Sequence, residues 1–250
     1  MLVEHLYRYP VKGLNAEALE EIEVSPGQAL PWDRAFALAQ GDSGFDPARP
    51  EFRHKSNFMC LLKNAGIARL RAAFDPHDRL LTIRAPDGEA VVASPMDPAG
   101  RAAICDFLCR FLGDEARGTP VFHHVPGHVF GDQRQPAVSL LSLPTLAQVE
   151  RDIGAPRDPL RFRANIYIRG AAPWAEFDWI DRPLSIGTAV FRAYKRTKRC
   201  NATQVNPATA ERDADPVREL MHTYGHPDLG IHLEVLEPGH LAVGDAVTLL

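Results

Sequence analysis

A single cysteine lies in a basic segment of the second half of the sequence. The segment reads YKRTKRCNATQVNPATAERDADP and places Cys200 directly after a cluster of cations. Nearby positive charge stabilises a thiolate relative to a thiol. A thiolate binds soft metals and attacks electrophiles, so Cys200 is a candidate functional residue. The cations are Lys195, Arg196, Lys198 and Arg199.

The same segment also has a structural interpretation. A lone cysteine often packs as a small apolar side chain, and a run of lysines and arginines is often a solvated face. The polar stretch after Cys200 contains two prolines and too little apolar material for a core strand. Residue types alone leave both interpretations open.

The other three cysteines are more typical of a hydrophobic core. Cys105 and Cys109 are spaced i, i+4 beside the apolar stripe of a predicted helix, and Cys60 lies in NFMCLL. A CxxxC pair lacks the second pair of ligands that a structural zinc ion needs. Four scattered cysteines form no disulfide framework in a chain of this size, so we expect reduced thiols.

Two further segments have the residue types of a metal site but not the spacing. In HHVPGH, the neighbours His123 and His124 would point to opposite faces of a strand, so we interpret them and His128 as loop histidines. The segment GDSGFDPARP lacks the bidentate glutamate of a calcium loop. We expect a turn there.

Standard phosphate-binding and hydrolase motifs are absent: the sequence contains no P-loop, GxGxxG, GxSxG or HExxH. Instead, cations lie at the edges of apolar runs, where strands meet loops. If the fold gathers them beside Cys200, they form a pocket for phosphate or carboxylate. These cations are Lys12, Arg34, Lys55, Arg163 and Arg199.

The bulk properties narrow the class of protein. The chain has 250 residues, 45% hydrophobic content and a formal net charge of −4, which is ordinary for a globular protein and argues against a general nucleic-acid binder. No apolar run approaches the roughly 20 residues needed to span a bilayer, and the first residues lack the layout of a signal peptide. We expect a cytoplasmic location and no membrane partner.

Prolines and glycines interrupt short apolar runs at close intervals, a pattern that predicts a β-rich α+β fold with few helices. In the first half, short strands are expected, with a hairpin in RLLTIRAPDGEAVVA and a helix over 99–112. In the second half, AVSLLSLPTLAQVERDIG predicts a strand running into a helix capped by Ser142 or Thr145. RFRANIYIRG predicts a strand, and PLSIGTAVFRAYKRTKRC a hairpin at Gly187.

Several segments, in order, resemble the MOSC proteins, named after the molybdenum cofactor sulfurase C-terminal domain. They are YRYPVKGL, WDRAFAL, RFRANIYIRG, KRCNATQVNPATAERD and PGHLAVGDAVTLL. The most specific block, from Arg199 to Asp213, is similar to the family's RCxxTxVDPxTGxxD. The resemblance implies an N-terminal β-barrel domain over 1–120 and a MOSC β-barrel core with a few flanking helices over 121–250.

The resemblance implies a cofactor and its ligands. Proteins of this architecture bind molybdenum through one molybdopterin, and the matching position makes Cys200 the catalytic molybdenum ligand. Pyridoxal phosphate binding is a further function associated with the family. By matching positions, the residues that would contact the molybdenum cofactor are Lys12, Lys55, Arg163, Asn165, Lys198, Arg199, Thr203 and His232.

The chain departs from the family pattern at named positions. Lys55 stands where relatives carry arginine, so charge is kept while the bidentate fork is lost. His232 stands where relatives often carry tyrosine. Asn206 replaces the usual Asp, and Ala210 the usual Gly, so this loop carries one charge fewer. GDQRQP replaces the usual pattern of an acid followed by serine.

The reaction implied by the resemblance is a two-electron reduction of N-hydroxylated small molecules, with the oxygen leaving as water. The sequence given contains no CxxxxCxxC cluster motif, so electrons are expected from a separate flavin or iron-sulfur protein. A sulfur or cofactor carrier without turnover is the alternative. A barrel that binds another phosphorylated small molecule is a third interpretation.

Overall fold

The computed structural model describes residues 1–250 and contains fifteen β-strands, three α-helices and six short 3-10 segments. The strands are β1 (Leu2–Arg8), β2 (Glu17–Leu19), β3 (Glu21–Val24), β4 (Phe36–Ala39), β5 (Arg71–Asp75), β6 (Leu80–Arg84), β7 (Ala90–Ala93), β8 (Val121–His124), β9 (Val138–Ser142), β10 (Ile166–Arg169), β11 (Pro183–Ile186), β12 (Ala189–Lys198), β13 (Asp228–Glu237), β14 (Gly239–Ala242) and β15 (Val247–Leu249). The helices are α1 (Pro98–Leu112), α2 (Leu143–Ile153) and α3 (Pro216–Tyr224). The 3-10 segments are Lys55–Asn57, Ala65–Arg69, Gly113–Glu115, Pro159–Phe162, Ala175–Trp179 and Asn201–Gln204.

The largest sheet has eight strands and curls into a half-barrel. Its order is β15, β11, β12, β13, β9, β10, β1 and β2. Every neighbouring pair is antiparallel except β9 and β10, which run parallel. The prediction of a β-rich α+β fold is therefore confirmed.

Strands from the first half of the chain pair with strands from the second half. β1 and β2 belong to the eight-stranded sheet, β3 pairs with β14, and β4 pairs with β8. The remaining strands of the first half, β5 to β7, form the antiparallel sheet that contains the hairpin expected at APDGE. The boundary at residue 120 stays a prediction, since strands cross it in both directions.

The two helices expected from the sequence form, and a side chain caps the start of each. The Asp97 carboxylate accepts a hydrogen bond from the Gly100 amide at 2.7 Å and starts α1, which buries Ile104, Phe107 and Leu108. The Ser142 hydroxyl accepts from the Thr145 amide at 3.4 Å and starts α2, which decides between the two candidate caps. Each side chain satisfies a backbone N–H that the first helical turn cannot pair.

Two large hydrophobic cores fix the position of the Cys200 segment. One core lies against the eight-stranded sheet and the other fills the first half of the chain. Val205, five positions after Cys200, is 1% exposed and belongs to the core of the first half. Because β12 is part of the eight-stranded sheet, the short connection from β12 to Val205 holds Cys200 between the two cores.

The strand expected over RFRANIYIRG is wrong in its first part. Only Ile166–Arg169 is a strand, and Pro159–Phe162 forms a 3-10 turn capped by Asp158, whose carboxylate accepts from the Leu160 amide at 2.8 Å. Arg163 ends that turn in the left-handed region with φ of 51°. Proline and the aspartate cap override the alternating pattern, because both favour a turn.

Two elements have no counterpart among those expected from the sequence. β8 lies in the stretch interpreted as turns, so His123 and His124 are strand residues rather than loop residues. Helix α3 follows the polar segment, where Asp215 as cap, Pro216 in the first turn and Gly225 after the end are its signals. None of the three α-helices combines the length and apolar content needed to cross a membrane.

Candidate functional site

One cavity of about 630 Å³ gathers the chemistry-bearing residues. Its lining carries eight lysine and arginine side chains against two aspartates, although the whole chain has a formal net charge of −4. The cavity therefore attracts anions. The nine residues predicted from the resemblance all line it: Lys12, Lys55, Arg163, Asn165, Lys198, Arg199, Cys200, Thr203 and His232. Their individual roles stay predictions.

Cys200 lies where β12 ends and the 3-10 segment Asn201–Gln204 begins. Its carbonyl accepts two hydrogen bonds from Thr203, at 3.0 Å from the amide and 2.9 Å from the hydroxyl. The thiol is free and half-buried. Thr203 therefore fixes the backbone of Cys200, and its hydroxyl is directed at the protein.

The cation beside the sulfur comes from a remote part of the chain. Lys55 Nζ lies 3.3 Å from Cys200 Sγ, whereas Lys195, Arg196 and Arg199 have other partners. Lys195 donates to the Gln133 side chain, and the Arg196 guanidinium lies 4.3 Å from the centre of the Phe177 ring. The expected cationic setting of Cys200 is present, but Lys55 supplies it.

The amines of Lys12 and Lys55 share one carboxylate. Lys12 Nζ donates to Asp132 Oδ1 at 2.6 Å, and Lys55 Nζ donates to Asp132 Oδ2 at 2.7 Å. Burial alone would raise the pKa of Asp132, but the two ammonium groups lower it well below its usual range. Asp132 therefore carries a negative charge at neutral pH.

Two arginines with positive φ, Arg34 and Arg163, both contact the ring of Tyr9. The guanidinium carbons of Arg34 and Arg163 lie 4.6 and 4.2 Å from the ring centre. Both residues have positive φ, 50° and 51°, a conformation that costs a residue with a side chain about 1–2 kcal/mol. Burial lowers the pKa of Arg163 to about 10, so it remains charged at neutral pH.

Asn165 links three parts of the site. Its Oδ1 accepts from the Ser139 hydroxyl at 2.8 Å, and its Nδ2 donates to Asp33 Oδ1 and to the Tyr7 carbonyl, both at 3.1 Å. Asp33 also pairs with Arg34. Asn165 thus positions Arg34 through Asp33, in addition to lining the cavity.

Arg199 is anchored to the protein rather than free in the cavity. Its Nε donates to the Leu229 carbonyl and its Nη1 to the Phe162 carbonyl, both at 2.7 Å. Gly230 permits this approach, because a Cβ there would lie 3.1 Å from Arg199 Nη2. Burial lowers the pKa of Arg199 to about 10. By contrast, Lys198 is exposed at the cavity wall.

His232 is a neutral side chain at neutral pH. It is 9% exposed, and burial, followed by the positive charges of Arg199, Lys195 and Arg34, lowers its pKa to about 3. Its Nε2 lies 3.4 Å from Gln133 Nε2, and its Nδ1 has no partner. A neutral ring can accept a hydrogen bond at one nitrogen, which an imidazolium cannot.

The loop that departs from the family pattern forms a turn around Asn206. Asn206 Oδ1 accepts from the amides of Ala208 and Thr209 at 2.9 and 3.3 Å, the task of an aspartate in this turn. Its Nδ2 donates to Asp213 at 2.7 Å. Ala210 has φ of 65°, a conformation for which the family's glycine is better suited.

Three polar residues of the site were not assigned a role from the sequence. Asp132 and Gln133 belong to GDQRQP, whose acidic first part was the only signal. Arg161 is 7% exposed, donates to the Gln204 carbonyl at 3.0 Å and pairs with Asp213. These two contacts connect the loop after Cys200 to the 3-10 turn that precedes Arg163. Its position in RFRAN beside Arg163 was the available signal.

The remaining cysteines and the histidines of HHVPGH make no contact with the Cys200 sulfur. Cys105 and Cys109 are half-buried, with sulfurs 3.9 Å apart. Cys60 is buried, as expected, but it also lines the cavity that contains Cys200. His123 and His128 pack on aromatic rings, with ring centres 5.0 Å from Phe45 and 4.8 Å from Phe130. No group of three or more His, Cys, Asp or Glu side chains is placed to hold a metal ion.

These features define a basic pocket whose lining includes two cysteines, Cys60 and Cys200, of which Cys200 has a lysine ammonium beside its sulfur. The family model described as MOSC domain matches residues 125–248, and the one described as MOSC N-terminal beta barrel domain matches residues 1–119. The chain belongs to the MOSC family, in the form that carries the N-terminal beta barrel domain. The family is associated with molybdenum cofactor binding and sulfurase-like proteins.

Solved structures similar to this chain include two bacterial proteins. The YUAD protein from Bacillus subtilis has a TM-score of 0.46 and 15% sequence identity, with 99% of this chain and 94% of that chain covered. YiiM from Geobacillus stearothermophilus has a TM-score of 0.36 and 19% identity, with 45% of this chain and 53% of that chain covered.

Proposed function

We propose that this chain binds the molybdenum cofactor in the basic cavity, with Cys200 as the protein ligand of the metal, and reduces N-hydroxylated small molecules. The observation that carries the proposal is the Cys200 thiol in a cavity lined by eight cationic side chains, with Lys55 Nζ 3.3 Å from the sulfur. Cytoplasmic location and electron supply by a separate flavin or iron-sulfur protein belong to the same proposal.

The residues present fit the chemistry of this group. Molybdopterin carries a phosphate and a dithiolene, so it is anionic, and the cavity lining has a large excess of positive charge. Guanidinium groups are suited to phosphate, and those of Arg34 and Arg163 line the cavity. A cysteine sulfur is the type of ligand that soft metals prefer. These features support the fit without fixing the orientation of the group.

When bound, the cofactor would supply the electron-accepting metal centre. The net reaction converts N–OH to N–H and water with two electrons and two protons. The chain itself contributes a soft anionic ligand at Cys200, and the Lys55 ammonium stabilises negative charge on that sulfur. His232, held neutral at physiological pH, offers a ring nitrogen for hydrogen bonding at the cavity wall.

Pyridoxal phosphate is not part of this proposal. Its chemistry in enzymes uses a lysine amine that forms a Schiff base. The two least exposed lysines of the cavity lining, Lys12 and Lys55, are ammonium groups paired with Asp132. An amine held in an ion pair is a poor nucleophile, so this pairing does not favour covalent attachment of a carbonyl group.

The first experiment measures whether the cofactor binds and through which residue. The chain is expressed in a host that makes the molybdenum cofactor, and molybdenum and pterin are quantified per chain. We expect both in the wild type, and loss of the metal in Cys200→Ser. Cys109→Ser is the matched control, because Cys109 lies outside the cavity. Equal thermal midpoints for the two variants would show that folding is intact.

The outcomes separate the functions considered. Unchanged molybdenum in Cys200→Ser would show that Cys200 is not the ligand, and absence of pterin from the wild type would overturn cofactor binding. The loaded protein is then supplied with reduced methyl viologen and an amidoxime. Full loading without any turnover of amidoximes or hydroxylamino-purines would favour a sulfur or cofactor carrier over a reductase.

A further inference from the structure

A continuous chain of polar contacts runs from a buried lysine to the Cys200 sulfur. Lys12 Nζ contacts Asp132 Oδ1 at 2.6 Å, Asp132 Oδ2 contacts Lys55 Nζ at 2.7 Å, and Lys55 Nζ lies 3.3 Å from Cys200 Sγ. The four residues come from four separate parts of the sequence. The contacts therefore join the loop that precedes β9 to the loop that carries the cysteine.

Lys12 has no hydrogen-bond donor left for a ligand. An ammonium group has three N–H donors. The Lys12 ammonium lies 2.9 Å from the Phe130 carbonyl, 3.5 Å from the Gly131 carbonyl and 2.6 Å from the Asp132 carboxylate. Its side chain is only 7% exposed. All three acceptors belong to the segment 130–132, so Lys12 anchors that segment.

The backbone around Lys12 is itself fixed. The Lys12 amide donates to the Phe36 carbonyl at 2.8 Å. Gly13, with φ of 89°, lies so close to its neighbours that a Cβ would meet Ile67 Cδ1 at 2.9 Å and the Met59 carbonyl at 3.0 Å. Lys12 therefore cannot shift toward a ligand without disturbing the first-half core.

Asp132 differs from Lys12 in that its side chain is 44% exposed. The contacts of such a partly exposed carboxylate determine where it lies. Asp132 contacts the buried ammonium of Lys12 and the ammonium of Lys55, which faces the Cys200 sulfur. Removal of one member of such a network leaves the other members free to move.

From these contacts we infer that Asp132 is a positioning residue, which holds the Lys55 ammonium against the Cys200 sulfur and is itself held by Lys12. Lys12 then acts through Asp132 rather than by direct contact with the cofactor phosphate. The consequence for the reaction rests on the proposed function, because hydrogen bonds to a metal-bound sulfur tune the metal and its retention.

One arm of the test needs no cofactor. Amide hydrogen exchange is measured on the cofactor-free chain, where the Phe130 amide donates to the Arg34 carbonyl at 2.8 Å and the Phe58 amide to the Lys55 carbonyl at 3.1 Å. We expect Lys12→Met and Asp132→Asn to raise exchange at residues 128–133 by about tenfold or more, since each breaks a partly buried ion pair. Asp132→Asn should also raise exchange at Phe58. Lys63→Met, which changes an exposed lysine, is the control.

The second arm uses the loaded protein and a double-mutant cycle. We expect Lys12→Met and Asp132→Asn each to lower retained molybdenum about tenfold, and the double variant to lose no more than either alone. The Mo(V) electron paramagnetic resonance spectra of Asp132→Asn and Lys55→Met should shift in the same direction, which a loss of folding stability alone would not produce.

The outcomes that overturn the inference differ from those that overturn the proposed function. Additive losses in the double variant, or unchanged exchange at residues 128–133 in Lys12→Met, would show that Lys12 does not act through Asp132. A spectrum unchanged in Asp132→Asn would show that Asp132 does not position Lys55. A wild-type chain without molybdenum would overturn the proposed function. The hydrogen-exchange measurements would still show whether Lys12 anchors the segment 130–132.

Discussion

The Lys55 ammonium lies 3.3 Å from the Cys200 sulfur, although 145 positions separate the two residues in the sequence. Lys55 belongs to the 3-10 segment Lys55–Asn57 of the first half, and Cys200 follows β12 of the eight-stranded sheet. The contact therefore depends on the way the two halves pack, and it places a positive charge at the one sulfur proposed to hold a metal.

Replacing Lys55 should weaken metal retention. Lys55→Met removes the ammonium and keeps the length of the stem, and we expect molybdenum retained after dialysis to fall by about tenfold, as for other groups that bond to metal ligands. Lys55→Arg, which restores the residue type of the relatives, should keep the charge and most of the metal. Equal retention in Lys55→Met and the wild type would contradict this role, and Lys63→Met controls for loss of a lysine elsewhere.

Residue types near Cys200 leave the role of its thiol open, and they do not indicate which cation lies beside the sulfur. Lys195, Arg196 and Arg199 bond to Gln133, to the Phe177 ring and to backbone carbonyls, contacts that depend on the tertiary fold. A local sequence pattern reports charge density, whereas the direction of each side chain depends on strand register and neighbouring loops.

Cations at the ends of predicted strands were a better guide to the site than the charged residues next to Cys200. The gathering of Lys12, Arg34, Lys55, Arg163 and Arg199 in one cavity is the arrangement expected from cations placed where apolar runs meet loops. The carboxylate that organises two of them, Asp132, lies in GDQRQP, a stretch without hydrophobic periodicity. Sequence patterns cannot place such a loop, because its position is set by Lys12 rather than by its own residues.

Arg199 should contribute to folding as well as to the cavity. An ammonium cannot reach both the Leu229 and Phe162 carbonyls, so Arg199→Lys leaves a buried acceptor unpaired and should lower the free energy of unfolding by about 3 kcal/mol. Urea unfolding monitored by circular dichroism measures the change. Lys198→Met, at the exposed neighbouring position, should change stability by less than about 0.5 kcal/mol. Similar small effects in both variants would argue against the anchoring role of Arg199.

The loop after Cys200 offers a stabilising substitution. Ala210 has φ of 65°, where its Cβ clashes with the backbone, and Ala210→Gly should raise the free energy of unfolding by about 1 kcal/mol. The net gain is limited because glycine also has more freedom in the unfolded chain. Ala208→Gly is the matched control, since Ala208 is exposed and does not share the left-handed conformation. A decrease in stability in both variants would show that Ala210 is not strained.

Glu176 should make stability depend on pH at a place far from the proposed chemistry. The side chain is 0% exposed, its Oε2 accepts from the Thr145 hydroxyl at 2.8 Å, and its Oε1 has no partner. Burial raises the pKa of Glu176 to about 7 from its usual 4.5. The folded chain therefore keeps a proton that the unfolded chain releases above pH 4.5, and stability falls as the pH rises from about 4.5 through 7.

Glu176→Gln removes this titration, so the free energy of unfolding of the variant, relative to wild type, should rise across that window by about 3 kcal/mol and then stay constant. Urea unfolding at pH 5, 6, 7 and 8 measures the difference, with the exposed Glu51→Gln as control. A difference between variant and wild type that is the same at all four pH values would show that Glu176 titrates alike in the folded and unfolded chains.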